Sequence, residues 1–153
     1  MVALIRNTEG KPVSIHRTYL DGPAKAKIDQ PKRLMTGTEK THGAAIRLFP
    51  VGKDSDLVGV AEGIESAIAA SQLYFIPVWA TISTTIMETF EPPAGIRRIT
   101  VFADNDANFA GQKAAYRLAN RLYLQDYIVE VEVPTLGDFC EHVEHQLKQR
   151  KGE

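Results

Sequence analysis

Three carboxylates in this chain stand where they could hold a divalent cation. Glu62 follows the short apolar run 57–61, and Asp104 and Asp106 follow a second run, 99–103. Short, continuous apolar runs of this kind read as strands buried on both faces. If the chain stays extended through Asn105, Asp104 and Asp106 point the same way, because strand side chains alternate with period two. Two carboxylates on one side repel each other unless a cation lies between them. Oxygen ligands with no neighbouring His or Cys favour magnesium or manganese over zinc. Such an ion orients a phosphate, neutralises its charge and stabilises a leaving oxygen. Each piece alone has an ordinary explanation. A Glu after a strand suits a helix N-terminus, and Asp-Asn-Asp suits a turn or a cap. Their joint position after two strands is what points to a site.

The elements that must carry these residues alternate along the chain. After the strand at 57–61 comes a helix at 64–73, with Ile64, Ala67, Ile68 and Leu73 near helical spacing. A strand at 77–80, a short helix at 82–90 and the strand at 99–103 follow. The clearest helix is 111–124, where Ala114, Ala115, Leu118, Ala119, Leu122 and Tyr123 form one stripe. A strand at 127–133 stops at Pro134, and a polar helix covers 139–150. Strict strand–helix alternation predicts an α/β fold, Rossmann-like, with a mostly parallel sheet and helices on both faces. Such sheets bind ligands beyond the carboxyl ends of their strands.

The front third is different. Runs at 2–6 and 13–20 flank the turn cluster NTEGKP and predict a β-hairpin. Residues 21–44 read as irregular surface chain, 44–49 as a short strand and 50–56 as a loop. This divides the chain into a small basic β-rich segment, 1–53, and an α/β domain, 54–153. Charge follows the same division. Residues 1–53 hold 10 Lys/Arg against 4 Asp/Glu, and residues 54–153 hold 8 against 15. A basic front and an acidic back suit a protein that grips phosphate with one part and metal with the other, although solvated faces have the same composition.

The 153 residues carry a net charge of only −1, so the chain as a whole is no polyanion binder. A single cysteine, Cys140, excludes a disulfide framework and a Cys-based zinc site within one chain. It suggests a reducing compartment, and a cytoplasmic location is expected. No signal peptide or membrane span is expected.

The wording of the strand ends resembles the Toprim family. VAEGIESA (60–67) resembles the first Toprim signature, a strand followed by Glu-Gly and a helix. ITVFADND (99–106) resembles the second, a strand ending in Asp-x-Asp, and Gly111 with the Ala-rich helix after it also fits. HRTYLDG (16–22), GAAIRL (43–48) and FEPPAGIRRITVFADND (90–106) resemble the phage- and plasmid-type primases, including primase-helicases. Toprim domains occur in bacterial primases, type IA and type II topoisomerases and certain nucleases. The resemblance implies that Glu62 is a metal ligand or general acid/base and that Asp104 and Asp106 hold metal, Mg2+ or Mn2+. A third acidic patch of the family reads Gly-x-Asp-aromatic-Asn-Asp. Here Asp138 and Phe139 fit, which makes Asp138 a further expected metal ligand, while Cys140 replaces Asn and Glu141 stands where Asp is usual.

The resemblance implies nucleotidyl transfer that synthesises primers on single-stranded DNA from nucleoside triphosphates. Helicase or other replication proteins would be its partners. A Toprim nuclease and a non-catalytic interaction module are the alternatives. The chain is expected to be either part of a longer primase or a small stand-alone Toprim protein. Lys25, Lys27, Lys32 and Arg33 form a basic stretch suited to gripping template or nucleotide. Arg17 and Arg47 join them, since an Arg on a short strand must reach solvent or meet an anion. His16 and His42 are isolated and weaker candidates. Trp79 is expected in the core, and Cys140 has no paired His that would make it a nucleophile.

Overall fold

The computed structural model describes residues 1–22, 24–37, 41–135 and 137–151, with side chains throughout except at 146, 147 and 149–151. The expected hairpin is formed by β1 (Val2–Arg6) and β2 (Pro12–Thr18), antiparallel, with Leu4 opposite Ile15. Asn7 closes its turn: its carbonyl accepts from Gly10 N–H, and its side-chain oxygen accepts from Lys11 N–H at 2.9 Å. Gly10 takes φ +83°, which favours glycine.

Residues 21–44 are less irregular than their composition suggests. They contribute to β3 (Leu20–Asp21), and they hold β4 (Ala24–Lys25) and β5 (Lys32–Leu34). β3 and β4 make a tight pair, and β5 adds to β2 as a third antiparallel strand. Their short length and exposed, Lys-rich sequence hide them from any apolar pattern. Pro23 and residues 38–40 of this stretch lie outside the described residues.

The strand expected at 44–49 is not a ladder. Arg6 bridges Ala45, and Ile46 bridges Ala80. Neighbouring residues thus pair with different sheets, so the segment crosses from one sheet to the other. Its apolar character comes from that crossing, where Ala44, Ala45 and Ile46 are all buried.

The rear of the chain follows the alternating pattern. It runs β6 (Leu57–Ala61), α1 (Ile64–Tyr74), β7 (Val78–Ala80), α2 (Thr84–Glu88), β8 (Arg98–Phe102), α3 (Ala110–Tyr123), β9 (Ile128–Glu132) and α4 (Phe139–Lys151). The four strands form one parallel sheet in the order β7-β6-β8-β9. One face packs Val58, Val60, Ile99 and Val101 against α3 and α2. The other packs Ala61, Phe102 and Val78 against α1, α4 and the front segment. Phe102, Tyr74 and Phe139 stack edge-on there, tying α4 to the sheet.

Most of the α3 stripe is buried, but Tyr123 is exposed and Ala119 only half-buried; on α1, Ile68 faces solvent. Trp79 is buried as expected, and its indole donates to the Phe49 carbonyl at 2.8 Å.

Gly59 sits mid-strand in β6 between two bulky neighbours. A Cβ there would lie 2.7 Å from the Phe102 ring and 2.8 Å from a Val78 methyl. Gly59→Ala is therefore expected to destabilise the chain by about 1–3 kcal/mol, the usual cost of overpacking. Thermal melting checks this; an unchanged midpoint would mean that the two side chains shift freely.

Candidate metal centre at the strand ends

β6 and β8 are neighbours, with Ala61 opposite Phe102. Glu62 and Asp104 therefore emerge close to one level at the carboxyl edge of the sheet. The chain leaves β6 through α1 to β7 on one side, then returns past β6 to β8 on the other. The gap between β6 and β8 is thus the topological switch point, where open α/β sheets bind ligands.

The backbone at both positions is pinned. The Glu62 carbonyl accepts from Ile82 N–H at 2.7 Å, and Thr81 donates both its N–H and its hydroxyl to the Ala61 carbonyl. After β8, side chains alternate as an extended chain requires. Asp104 turns toward α1, where its Oδ2 accepts from the Ser66 hydroxyl at 3.3 Å. Asn105 turns away and donates to the Pro134 carbonyl at 3.1 Å. The Asn105 N–H also reaches the Gly137 carbonyl at 2.7 Å, drawing the third acidic patch to the same edge. Asp106 is exposed at the head of the turn leading into α3.

The carboxylates sense one another. Burial raises the pKa of Glu62, and the charges of Asp104 and Asp106 raise it further against a counter-pull from Lys32. Burial pushes Asp104 up to about 6. The Ser66 hydrogen bond and Lys32 oppose the rise, and Asp138 and Asp106 reinforce it. Asp104 Oδ1 is buried without a hydrogen-bond partner among the described residues. A half-buried carboxylate with one orphaned oxygen and acidic neighbours suits a cation. The donor set is all oxygen, which fits magnesium or manganese. Among the described residues, no three His, Cys, Asp or Glu side chains stand close enough to ring an ion unaided. Magnesium tolerates that, since one or two carboxylates, water and a phosphate commonly complete its shell.

Asp138 serves as N-cap of α4: its Oδ1 accepts from Glu141 N–H at 2.9 Å. Glu141 is exposed in the first turn of that helix. Cys140 is half-buried beside them. Burial and the charge of Asp138 push its thiol up to about 11, the reverse of what a nucleophile needs.

The basic candidates separate into groups. Lys25 and Lys32 come to the acidic edge, where both pair with Glu65, at 2.9 and 3.3 Å. Lys27 is exposed in the loop after β4. Arg17 and Arg33 lie opposite each other on β2 and β5, with Arg17 beside the Tyr19 ring at 5.9 Å. Arg47 lies elsewhere. Its guanidinium covers Trp79 at 4.8 Å and donates to the Asn7 and Thr8 carbonyls, holding the β1–β2 turn against the large sheet. His16 is buried on β2, and burial lowers its pKa; His42 is exposed. Sequence reasoning overlooks Glu65, which reads as an ordinary first-turn helix acid. Its spacing of three from Glu62 is the one signal that could have marked it.

Comparison with known proteins fits this arrangement. A family model described as Toprim domain matches residues 57–147, and one described as a domain of unknown function (DUF7146) matches residues 1–48. No curated protein matches the chain. Among solved structures, a DNA primase domain from Pseudomonas aeruginosa is 21% identical with a TM-score of 0.63, covering 94% of this chain and 46% of that one. The DnaG catalytic core is 16% identical, TM-score 0.61, covering 93% and 47%. The RNA polymerase domain of Mycobacterium tuberculosis primase DnaG, in complex with double-stranded DNA, is 17% identical, TM-score 0.52, covering 92% and 47%. These three share the fold, and the chain spans about half the length of each. The family match runs from β6 into α4 and takes in both acidic strand ends, and on that ground the chain belongs to the Toprim domain family.

Proposed function

We propose that this chain carries the metal-dependent nucleotidyl-transfer centre of a primase of the phage and plasmid type. It would join nucleoside triphosphates into primers on single-stranded DNA. The observation that supports this most is Asp104: half-buried beside other acids at the switch point between β6 and β8, with Oδ1 left without a partner among the described residues. Asp104, with either Glu62 or Asp106 beside it, would hold magnesium or manganese, water and phosphate completing the shell, with the charge of Asp138 adjoining. When bound, the ion neutralises charge on the transferring phosphoryl group.

The chain's own groups do the rest. The raised pKa of Glu62 brings it nearer the range in which a carboxyl can take and return a proton. Lys25 and Lys32 stand at the same edge as counter-charges for phosphate. Arg17, Arg33 and Lys27 offer further positive charge along the front segment for a template strand. We assign residues 1–53 and 54–153 as the two parts of this machine, basic and acidic.

The test is to incubate the chain with labelled single-stranded DNA, nucleoside triphosphates and magnesium or manganese. A ladder of extended products supports primer synthesis. Shortened products would replace it with cleavage, and nucleic-acid binding indifferent to Asp104→Ala would replace it with a non-catalytic module.

A further inference from the structure

Glu65 receives two lysines from two different strands. Lys25 on β4 reaches one carboxylate oxygen at 2.9 Å, and Lys32 on β5 reaches the other at 3.3 Å. The lysine side chains are 44% and 41% exposed and the glutamate 36%, so the pairs contribute little to holding the fold. What they do is gather two ammonium groups around one pair of oxygens beside the acidic strand ends.

A second observation concerns the strand that carries Lys32's neighbours. His16 and Thr18 are only 4% and 3% exposed, yet His16 Nδ1 and Thr18 Oγ1 have no hydrogen-bond partner among the described residues. They lie two residues apart on β2 and so leave the small sheet on one face. Thr18 is the register partner of Lys32, which puts the lysine on that face too. The lysine reaches Glu65, so this face looks onto the first turn of α1. Buried polar groups without partners are uncommon and costly, and a ligand oxygen would satisfy them.

We propose that the place where β2 and β5 meet the first turn of α1 accepts a terminal phosphate group, and that Glu65 is its resident stand-in. The two Glu65 oxygens occupy the place that two phosphate oxygens take when a nucleoside triphosphate or free pyrophosphate arrives. Lys25 and Lys32 then turn from carboxylate to phosphate, and His16 and Thr18 gain the partner they lack. The choice of phosphate as the anion rests on the function proposed above.

The sign of one substitution decides the matter. A competitor, when neutralised, lets ligand bind tighter; a clamp that merely positions the lysines, when neutralised, lets it bind weaker. The probe is inorganic pyrophosphate titrated calorimetrically with chelator present, so that no metal bridges it. Glu65→Gln is expected to bind about two- to fivefold tighter than wild type, and Lys32→Met weaker by a similar factor. Lys53→Ala, at the far end of the large sheet, serves as the control.

The His16 imidazole resonances should move on titration in wild type and less in Thr18→Val. An oligonucleotide without terminal phosphates should show no gain from Glu65→Gln; a gain confined to it overturns the terminal-phosphate assignment. Equal or weaker pyrophosphate binding by Glu65→Gln, or no binding by either protein, overturns the proposal. Neither metal nor template is present, so a chain that makes no primers can still pass, and one that makes primers can still fail.

Discussion

Alanine at both Asp104 and Asp106 is expected to lower primer synthesis by at least about 10²-fold, the scale on which removal of one preorganised electrostatic group is felt. The expectation comes from the division of labour at the strand ends. Asp104 supplies a half-buried carboxylate with one oxygen unpartnered among the described residues, and Asp106 adds exposed charge two residues on. Phosphoryl transfer relies mainly on positioning and charge neutralisation, so losing both carboxylates leaves the remaining groups with little to act through. Manganese titration of wild type and double variant checks the first link, since affinity should fall together with synthesis. Unchanged manganese binding would sink the assignment of these residues, even if synthesis were lost. The double variant should stay folded, because neither side chain belongs to an ion pair among the described residues and the Ser66 contact is long.

The second large effect is on stability, and it has an unusual sign. Most acidic residues in folded proteins favour neutral over acid conditions. Asp104 does the reverse, because its pKa is raised to about 6 from an ordinary value near 4. Between those two values the folded chain binds more protons than the unfolded chain, so stability falls as pH rises through that window. The full cost, roughly 1–2 kcal/mol once solvent screening of this part-exposed carboxylate is allowed for, is present at neutral pH. Glu62 is shifted in the same direction and adds to it. The metal-free protein should therefore gain melting temperature from this site on going from pH 7 toward pH 4. Glu65 and Asp56 are shifted downward and act oppositely, so the reading is the difference between wild type and Asp104→Asn. Asn at 104 should raise the metal-free midpoint at pH 7 and leave it level with wild type near pH 4. Magnesium at pH 7 should stabilise wild type and not the variant. A variant that melts below wild type at neutral pH would show that the carboxylate is already satisfied.

β6, β7 and β8 of the large sheet were legible because parallel strands covered on both faces must be largely apolar, whereas β9 at the rim alternates with Glu130 and Glu132. Residues 57–61 and 99–103 are such runs, and the polar residues that end them mark the sheet's edge. Helix faces were harder. Ile68 fits the apolar spacing of α1 but lies on its solvent side, and the Tyr123 ring hangs off the end of α3. The front segment was the least legible, since β3, β4 and β5 are two or three residues long and get their partners from distant chain. Glu65 shows the same limit within the candidate site. Apart from its spacing of three from Glu62, nothing local distinguishes it from a first-turn helix acid, and its ion pairs come from lysines 33 and 40 residues earlier in the chain. The separate acids at 62, 104 and 106 could be named because strand ends have a local signature, whereas cross-chain ion pairs have none.

The crossing segment at 44–46 has a consequence for how this molecule behaves among its own copies. β7 is the outer strand of the large sheet, and an unshielded rim invites a second chain to add on. Ile46 gives its N–H to the Ala80 carbonyl and takes the Ala80 N–H in return, at 2.8 and 3.0 Å. That exchange blunts the rim with the protein's own backbone, while Glu130 and Glu132 put negative charge along the opposite rim, β9. The front segment thus keeps the sheet solitary, and trimming it away would turn a self-contained sheet into one open to aggregation.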